Sequence, residues 1–302
     1  MGSAPRSIVL DTDIGTNVDD ALALALVLGS PELDLRLVTT VSHDTVLRAQ
    51  IAKKLLRLAG REAIPVAAGA PTPILHQDSF RWWGLEGDGI VVEGEVLPLA
   101  AEDATALLAW TIERHQPHVV AIGPLTNLAL SFMRDPSLPA LVPGITVMGG
   151  FLGREARPPV PPTEYNLASD PAATVSVLDA GISTTLVPLD VTLQVSIGTT
   201  HLARLRRVKS LLVQTLCDAI EIYARVQGLA GERLVVLHDP LAVAALIAPE
   251  LFTWTDLRLR PTITAGQLLL GEDSRAPAWR VAVGVDVAAA REWILTRLER
   301  LP

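Results

Sequence analysis

The stretch that decides the fold is VLDTDIGTNVDDALALALVL, residues 9–28. It sets Asp11, Asp13, Asp19 and Asp20 within ten positions, between an apolar run and an apolar helix-like run. Read locally, SIVL (7–10) is a buried strand, so Asp11 and Asp13 fall at its carboxyl end. The Gly15–Val18 turn then brings Asp19 and Asp20 to the start of a helix spanning Asp19–Leu28. A helix N-terminus accommodates one or two acids through its free N–H groups and dipole. Four crowded carboxylates raise one another's pKa unless a cation neutralises them. A hard divalent ion with oxygen ligands answers that need, and calcium accepts an irregular shell better than magnesium does. Capping plus solvation is the competing reading.

The same strand-then-helix rhythm extends outward. Further strands are expected at 35–41, 118–123, 145–149, 184–190 and 279–285. Helices are expected at Thr45–Ala59, Ala104–Arg114, Thr126–Met133, Pro171–Ala180, Lys209–Gln227, Leu241–Ile247 and about Val287–Arg300. Gly60 and Gly181 close two of these runs as left-handed stops. Continuous apolar strands alternating with helices indicate an α/β fold: a mostly parallel, open, Rossmann-like sheet covered on both faces. Ligands of such sheets sit beyond the strand carboxyl ends. With no repeat or long linker, residues 1–302 read as a single domain.

Composition narrows the function. The net charge of -8 argues against a general nucleic-acid binder, which needs a basic face. One cysteine, Cys217, excludes an intrachain disulfide framework and a cysteine zinc site, and inside an apolar helix it reads as core. The opening MGSAPR lacks a signal peptide's apolar core, and ALALALVL is too short to span a bilayer, so a cytoplasmic protein with no membrane partner is expected.

Three other segments bear polar groups at expected helix starts. In AIGPLTNLAL (121–130), Thr126 or Asn127 suits an N-cap. In PPTEYNLASDP (161–171), Asp170-Pro171 reads as cap and first helical residue, whereas Glu164 and Asn166 precede the helix without that excuse. In VVLHDPLAVAALI (235–247), Asp239 before Pro240 also suits a cap. Two other motifs share features of the acidic opening. An EF-hand loop from Asp11 needs a Glu at its twelfth position, where Leu22 stands. The haloacid-dehalogenase phosphatases begin Asp-x-Asp after a strand, with Asp11 as the nucleophile on that reading, but a later lysine and a distal acidic pair are not evident.

DTDIGTNVDDALAL (11–24) joined to these segments, with AAGAPTPI (67–74), WGLEGDG (83–89), VMGGF (147–151) and VPLDVT (187–192), resembles the nucleoside hydrolases, the calcium-dependent inosine–uridine nucleoside N-ribohydrolase family. The resemblance covers nearly the whole chain. It implies hydrolysis of the N-glycosidic bond of ribonucleosides to base and ribose, with Ca²⁺ as cofactor and a homodimer or homotetramer as the assembly. It assigns Asp13 as calcium ligand and as the base that activates water. Asp20, the backbone carbonyl of Thr126, and Asp239 complete the ligand set, and Asp239 also holds a ribose hydroxyl. Asp19, Glu164 and Asn166 match ribose-binding positions; Met148, Tyr223 and His238 match others around the substrate, and Asp11 a supporting acid. His238 matches a proposed acid for the departing base. A non-catalytic ribose- or nucleoside-binding homologue is the alternative.

The chain departs from that family's pattern at four places. Thr16-Asn17-Val18 enlarges the acidic turn by two residues. Asp44, in VSHD (41–44), replaces an Asn expected to face ribose, and Trp83 replaces a histidine over the base, offering a flat ring for stacking. After Tyr223, Val226 and Gln227 stand where a second tyrosine is expected, which leaves base preference open. His76, His115, His118 and His201 lie outside every matched motif and read as surface or loop residues.

Overall fold

Strands covered on both faces need side chains that are apolar throughout, and those strands form the middle of the sheet. The structure, a computed structural model, describes residues 4–75, 84–92, 94–101, 103–153, 164–264 and 267–302. The first half alternates β1 (Arg6–Thr12), α1 (Asp19–Leu28), β2 (Leu33–Thr40), α2 (Thr45–Leu58) and β3 (Val66–Ala68). It continues through α3 (Ala104–His115), β4 (His118–Ala121), α4 (Thr126–Arg134) and β5 (Ile145–Met148). Two short helices, α5 (Tyr165–Ser169) and α6 (Pro171–Leu178), lead to β6 (Thr184–Val187) and α7 (Leu189–Thr192). Then come β7 (Ser196–Ile197), α8 (Thr199–Leu205), α9 (Leu211–Val226), β8 (Val235–Val236) and α10 (His238–Ile247). The chain closes with β9 (Phe252–Thr264), β10 (Gln267–Glu272), β11 (Ala278–Val285) and α11 (Val287–Leu298).

Nine strands form one sheet in the order β10-β9-β11-β6-β5-β4-β1-β2-β3. The seven from β11 to β3 are parallel, and β9 and β10 add an antiparallel hairpin at one edge. The expected mostly parallel α/β sheet is thus the fold. The chain runs outward from β1 through β2 to β3, then returns to lay β4 on the other side of β1. That reversal opens a crevice at the carboxyl ends of β1 and β4, where open α/β sheets bind their ligands.

Each face of the sheet has its own core. Leu22, Leu24 and Leu26 of α1, with Val243 of α10 and Ile294 of α11, pack on one face. Leu108 of α3, Phe132 of α4 and Val177 of α6 pack on the other. α1 is buried on every side from Asp19 to Val27, which explains why ALALALVL has no polar face. The β9–β10 hairpin and three-residue β3 were not among the expected strands. β9 is mostly half-exposed and carries Arg258, Arg260 and Pro261, so it lacks the continuous apolar signature of a central strand.

Candidate active site

The crevice is a cavity of about 220 Å³ lined by Asp13, Asp19, Asp20, Glu164, Asn166 and Asp239, among others. Asp13 follows β1, Asp19 and Asp20 open α1, Glu164 and Asn166 flank the start of α5, and Asp239 sits in the first turn of α10. Segments far apart in sequence therefore deliver their acids to one place. Carboxylate oxygens of Asp19, Asp20 and Asp239 lie within 4.8 Å of one another. Asp13 is outside that group of three but faces the same space, whereas Asp19, matched to ribose by sequence, lies inside it.

Burial decides the electrostatics. Withdrawal from water raises Asp13 to about 6 and Asp19 to about 7, and raises Asp20 and Asp239 well above the usual carboxylate range. Mutual repulsion adds to the rise of Asp20 and Asp239. The Arg48 guanidinium opposes the rise of Asp13. Arg48 is wholly buried; it donates to the carbonyls of Asp13 and Ile14 (2.9 Å for Ile14) and to that of Ser42 at 2.8 Å. Thr12 donates to Asp20 and fixes its rotamer. Buried oxygen donors this rich in negative charge suit a hard cation, so the cluster is a competent metal site.

The wall around the acids is equally specified. Glu164 caps α5, accepting from the amides of Asn166 and Leu167 at 2.5 and 2.8 Å, so it has the capping role that its sequence context had not suggested. Burial still holds its carboxyl at about 7. The Asn166 amide donates to the carbonyls of Ile122 and Met148, both at 3.1 Å, and both of those residues line the cavity. His238 lines it too, with Nδ1 2.7 Å from the Thr192 hydroxyl. Burial draws its imidazole down to about 4. A second cavity of about 250 Å³ adjoins the first across Asn17, Asp19 and His238, and is lined by Tyr223 and Gln227.

Other expected residues are placed elsewhere. Thr126 begins α4 and donates its hydroxyl to Asp170 at 2.8 Å, away from the cavity; Ile122, at the end of the β4 segment, is the residue of AIGPLTN that reaches it. Asp44 is the exposed cap of α2, accepting from the Leu47 amide at 2.9 Å, because left-handed φ at Ser42 and His43 turns the chain outward. Asp239 is no cap: Leu237 holds that position, and Asp239 points inward. Asp170 does cap α6. Asp11 is a support beneath the site; it accepts from Thr39 and from Asn127 (2.7 Å), and burial raises it to about 7. Trp83 and His76 lie outside the described residues. His118, expected at the surface, is half-buried in β4 against Thr146. The roles of Arg48, Thr16 and Glu86 are not legible in the sequence, because they arise from hydrogen bonds that join α2 to two distant loops and leave no local pattern.

A profile of the inosine-uridine preferring nucleoside hydrolases matches residues 8–292. The chain belongs to this family. The nucleoside hydrolase is 33% identical to a non-specific ribonucleoside hydrolase RihC of Salmonella agona over 310 residues, covering 97% of each chain. It is also 33% identical to a probable uridine nucleosidase 2 of Arabidopsis thaliana over 316 residues, again covering 97% of each. Among solved structures, a plant nucleoside hydrolase superposes with TM-score 0.84 at 27% identity, covering 98% of this chain and 99% of that one. A purine-preferring ribonucleoside hydrolase from Gardnerella vaginalis superposes with TM-score 0.83 at 26% identity, with the same coverage. Family membership sets aside the phosphatase reading, and with relatives named as a ribonucleoside hydrolase and a uridine nucleosidase the chain is an enzyme. Among its described residues no helix is long and apolar enough to cross a membrane.

Proposed function

We propose that this enzyme hydrolyses the N-glycosidic bond of ribonucleosides to free base and ribose, with calcium as its cofactor and Asp13 as the base that accepts the proton of the attacking water. The observation that supports this reading is the convergence of Asp13, Asp19, Asp20, Glu164, Asn166 and Asp239 on one cavity at the sheet's switch point. The sugar takes the acid-lined cavity and the base extends toward Tyr223 and His238.

Asp13, Asp20 and Asp239 would hold the ion, with the main-chain carbonyl of Ile122 in the place that sequence gave to Thr126. Asp19 accepts from the Asp239 amide at 3.4 Å and offers its other oxygen to a sugar hydroxyl. When bound, calcium supplies a Lewis acid for water and a seat for vicinal hydroxyls. Glu164 and Asn166 grip the outer hydroxyls, and that binding holds C1′ against the water. The bond breaks through an oxocarbenium-like sugar cation, which the surrounding carboxylates favour electrostatically. His238 lines the side of the cavity toward which the base extends and is the proposed acid for the departing base; burial draws its imidazole down to about 4. The working enzyme is a cytoplasmic homodimer or homotetramer in nucleoside salvage, with residues 1–302 acting as one catalytic unit.

The test is a panel of purine and pyrimidine ribonucleosides scored for ribose and base release, with and without calcium chelation. Equimolar release that is abolished by chelation and falls at least a thousandfold in Asp13→Asn supports the reading. Full release by the chelated enzyme, or by Asp13→Asn, refutes it.

A further inference from the structure

The enlarged acidic turn is anchored on both sides of one residue. On one side, the Thr16 hydroxyl donates to Glu86 Oε1 at 3.0 Å and accepts from Arg48 Nη2 at 3.2 Å. Both partners are buried, and Glu86 is itself tied to the Leu85 amide at 2.8 Å. On the other side, Val18 is packed in the core at 6% exposure. Between these anchors Asn17 is exposed, and its amide makes no hydrogen bond among the described residues. It lines both the acid-rich cavity and the second cavity.

A free amide on a fixed turn, standing where two cavities meet, is arranged to bind something that spans them. If the sugar occupies the acid-lined cavity, the group attached to C1′ crosses the shared wall of Asn17, Asp19 and His238. Of these, Asp19 is engaged by the Asp239 amide and His238 by Thr192. Asn17 alone of the three carries both a donor and an acceptor with neither committed among the described residues. We propose that Asn17 is a specificity-determining residue that hydrogen-bonds the polar edge of the nucleobase. This rests on the ribonucleoside reading above. An amide presents a carbonyl and an N–H₂ side by side, which matches adjacent donor and acceptor groups on a base. Rotation by half a turn about the last side-chain bond lets it meet either a lactam edge, as in uracil or hypoxanthine, or an amidine edge, as in cytosine or adenine. With no partner among the described residues to fix that rotation, Asn17 favours bases that have such an edge over leaving groups that lack one, without choosing between the two kinds.

The test compares Asn17→Ala and Asn17→Leu with the unaltered enzyme, calcium-loaded, on uridine, cytidine and inosine and on p-nitrophenyl β-ribofuranoside, whose leaving ring has no N–H edge. A lost neutral hydrogen bond corresponds to a fall of about tenfold in kcat/KM on the nucleosides. The expected change on the nitrophenyl riboside is less than about twofold. An equal fall on all substrates overturns the proposal, since Asn17 would then act on the sugar or the turn. No fall on the nucleosides overturns it as well. If the unaltered enzyme releases no ribose from any of them, the hydrolase reading fails on its own. Calorimetric titration with inosine then still probes the contact, and equal Kd values for both proteins overturn it.

Discussion

Replacing Arg48 by methionine tests how the acidic loop is held. The guanidinium is fully buried and donates to the carbonyls of Asp13, Ile14 and Ser42 and to the Thr16 hydroxyl. Methionine keeps the apolar stem but strands three carbonyls that have lost a donor. Each stripped acceptor costs about 1 kcal/mol, at the low end because the exposed turn beside it admits water. Losing the positive charge facing Asp13 and Asp20 adds about 1–2 kcal/mol. The sum, about 4–5 kcal/mol, corresponds to a fall in Tm of roughly 8–10 °C at about 2 °C per kcal/mol for a chain of this size. Arg48→Lys should recover only part of it, because an ammonium cannot fork across the same carbonyls. The pH profile should move too. Arg48 lowers the Asp13 pKa, so its loss raises that pKa above about 6, and the acid limb of kcat/KM shifts to higher pH. Calorimetric melts and a pH series on the two variants decide the matter. A Tm change under 2 °C with an unmoved acid limb in Arg48→Met would refute the reasoning.

Gly69→Ala should disable the support beneath the site, because an added Cβ would collide with the Asn127 side chain and the Thr40 carbonyl. Asn127 also holds Asp11, so we expect a loss of at least about 2 kcal/mol in denaturant unfolding, and a shift of the Asp11 carboxyl signal by NMR. His118 gives a pH signature remote from the acids. Its pKa falls from 6.5 to about 4 on folding, so the unfolded chain binds the extra proton between those values. The stabilising contribution is complete above pH 6.5 and disappears as pH falls toward 4. It amounts to at most about 3 kcal/mol and is reduced by partial exposure. His118→Gln should flatten stability across that window, as measured by urea midpoints at pH 4.5 and 7.5.

The legible part of the fold was the part buried on both faces. β1, β4 and β5 carry continuous apolar runs and β2 is fully buried from Leu37 onward, while two acids followed by an apolar run mark the start and body of α1 at Asp19–Leu28. The β9–β10 hairpin escaped because half-exposed strands with Arg258 and Pro261 lack that signature. At the site, the aspartates were legible through their crowding, and Asp239 and Glu164 through a whole-chain resemblance, not local pattern. Thr126 shows the limit of that approach. GPLTN announces a strand end and a helix start, but only the packed chain shows that Ile122 faces the cavity while Thr126 turns to Asp170. Asp44 was misread for a related reason: left-handed φ at Ser42 and His43, neither a glycine, is invisible in composition. Arg48 stands in an otherwise helix-forming run, and its targets are main-chain carbonyls, which carry no residue identity at all.

The central claim is that acids from separate segments share one bound ion that seats the sugar. The most direct measurement is a crystal of the enzyme grown with Ca²⁺ and a non-hydrolysable ribonucleoside analogue, with the ion located by its anomalous scattering. The account expects one calcium between Asp13, Asp20 and Asp239, touching two sugar hydroxyls. An acid cluster without a calcium peak, or a nucleoside seated away from these carboxylates, would contradict it.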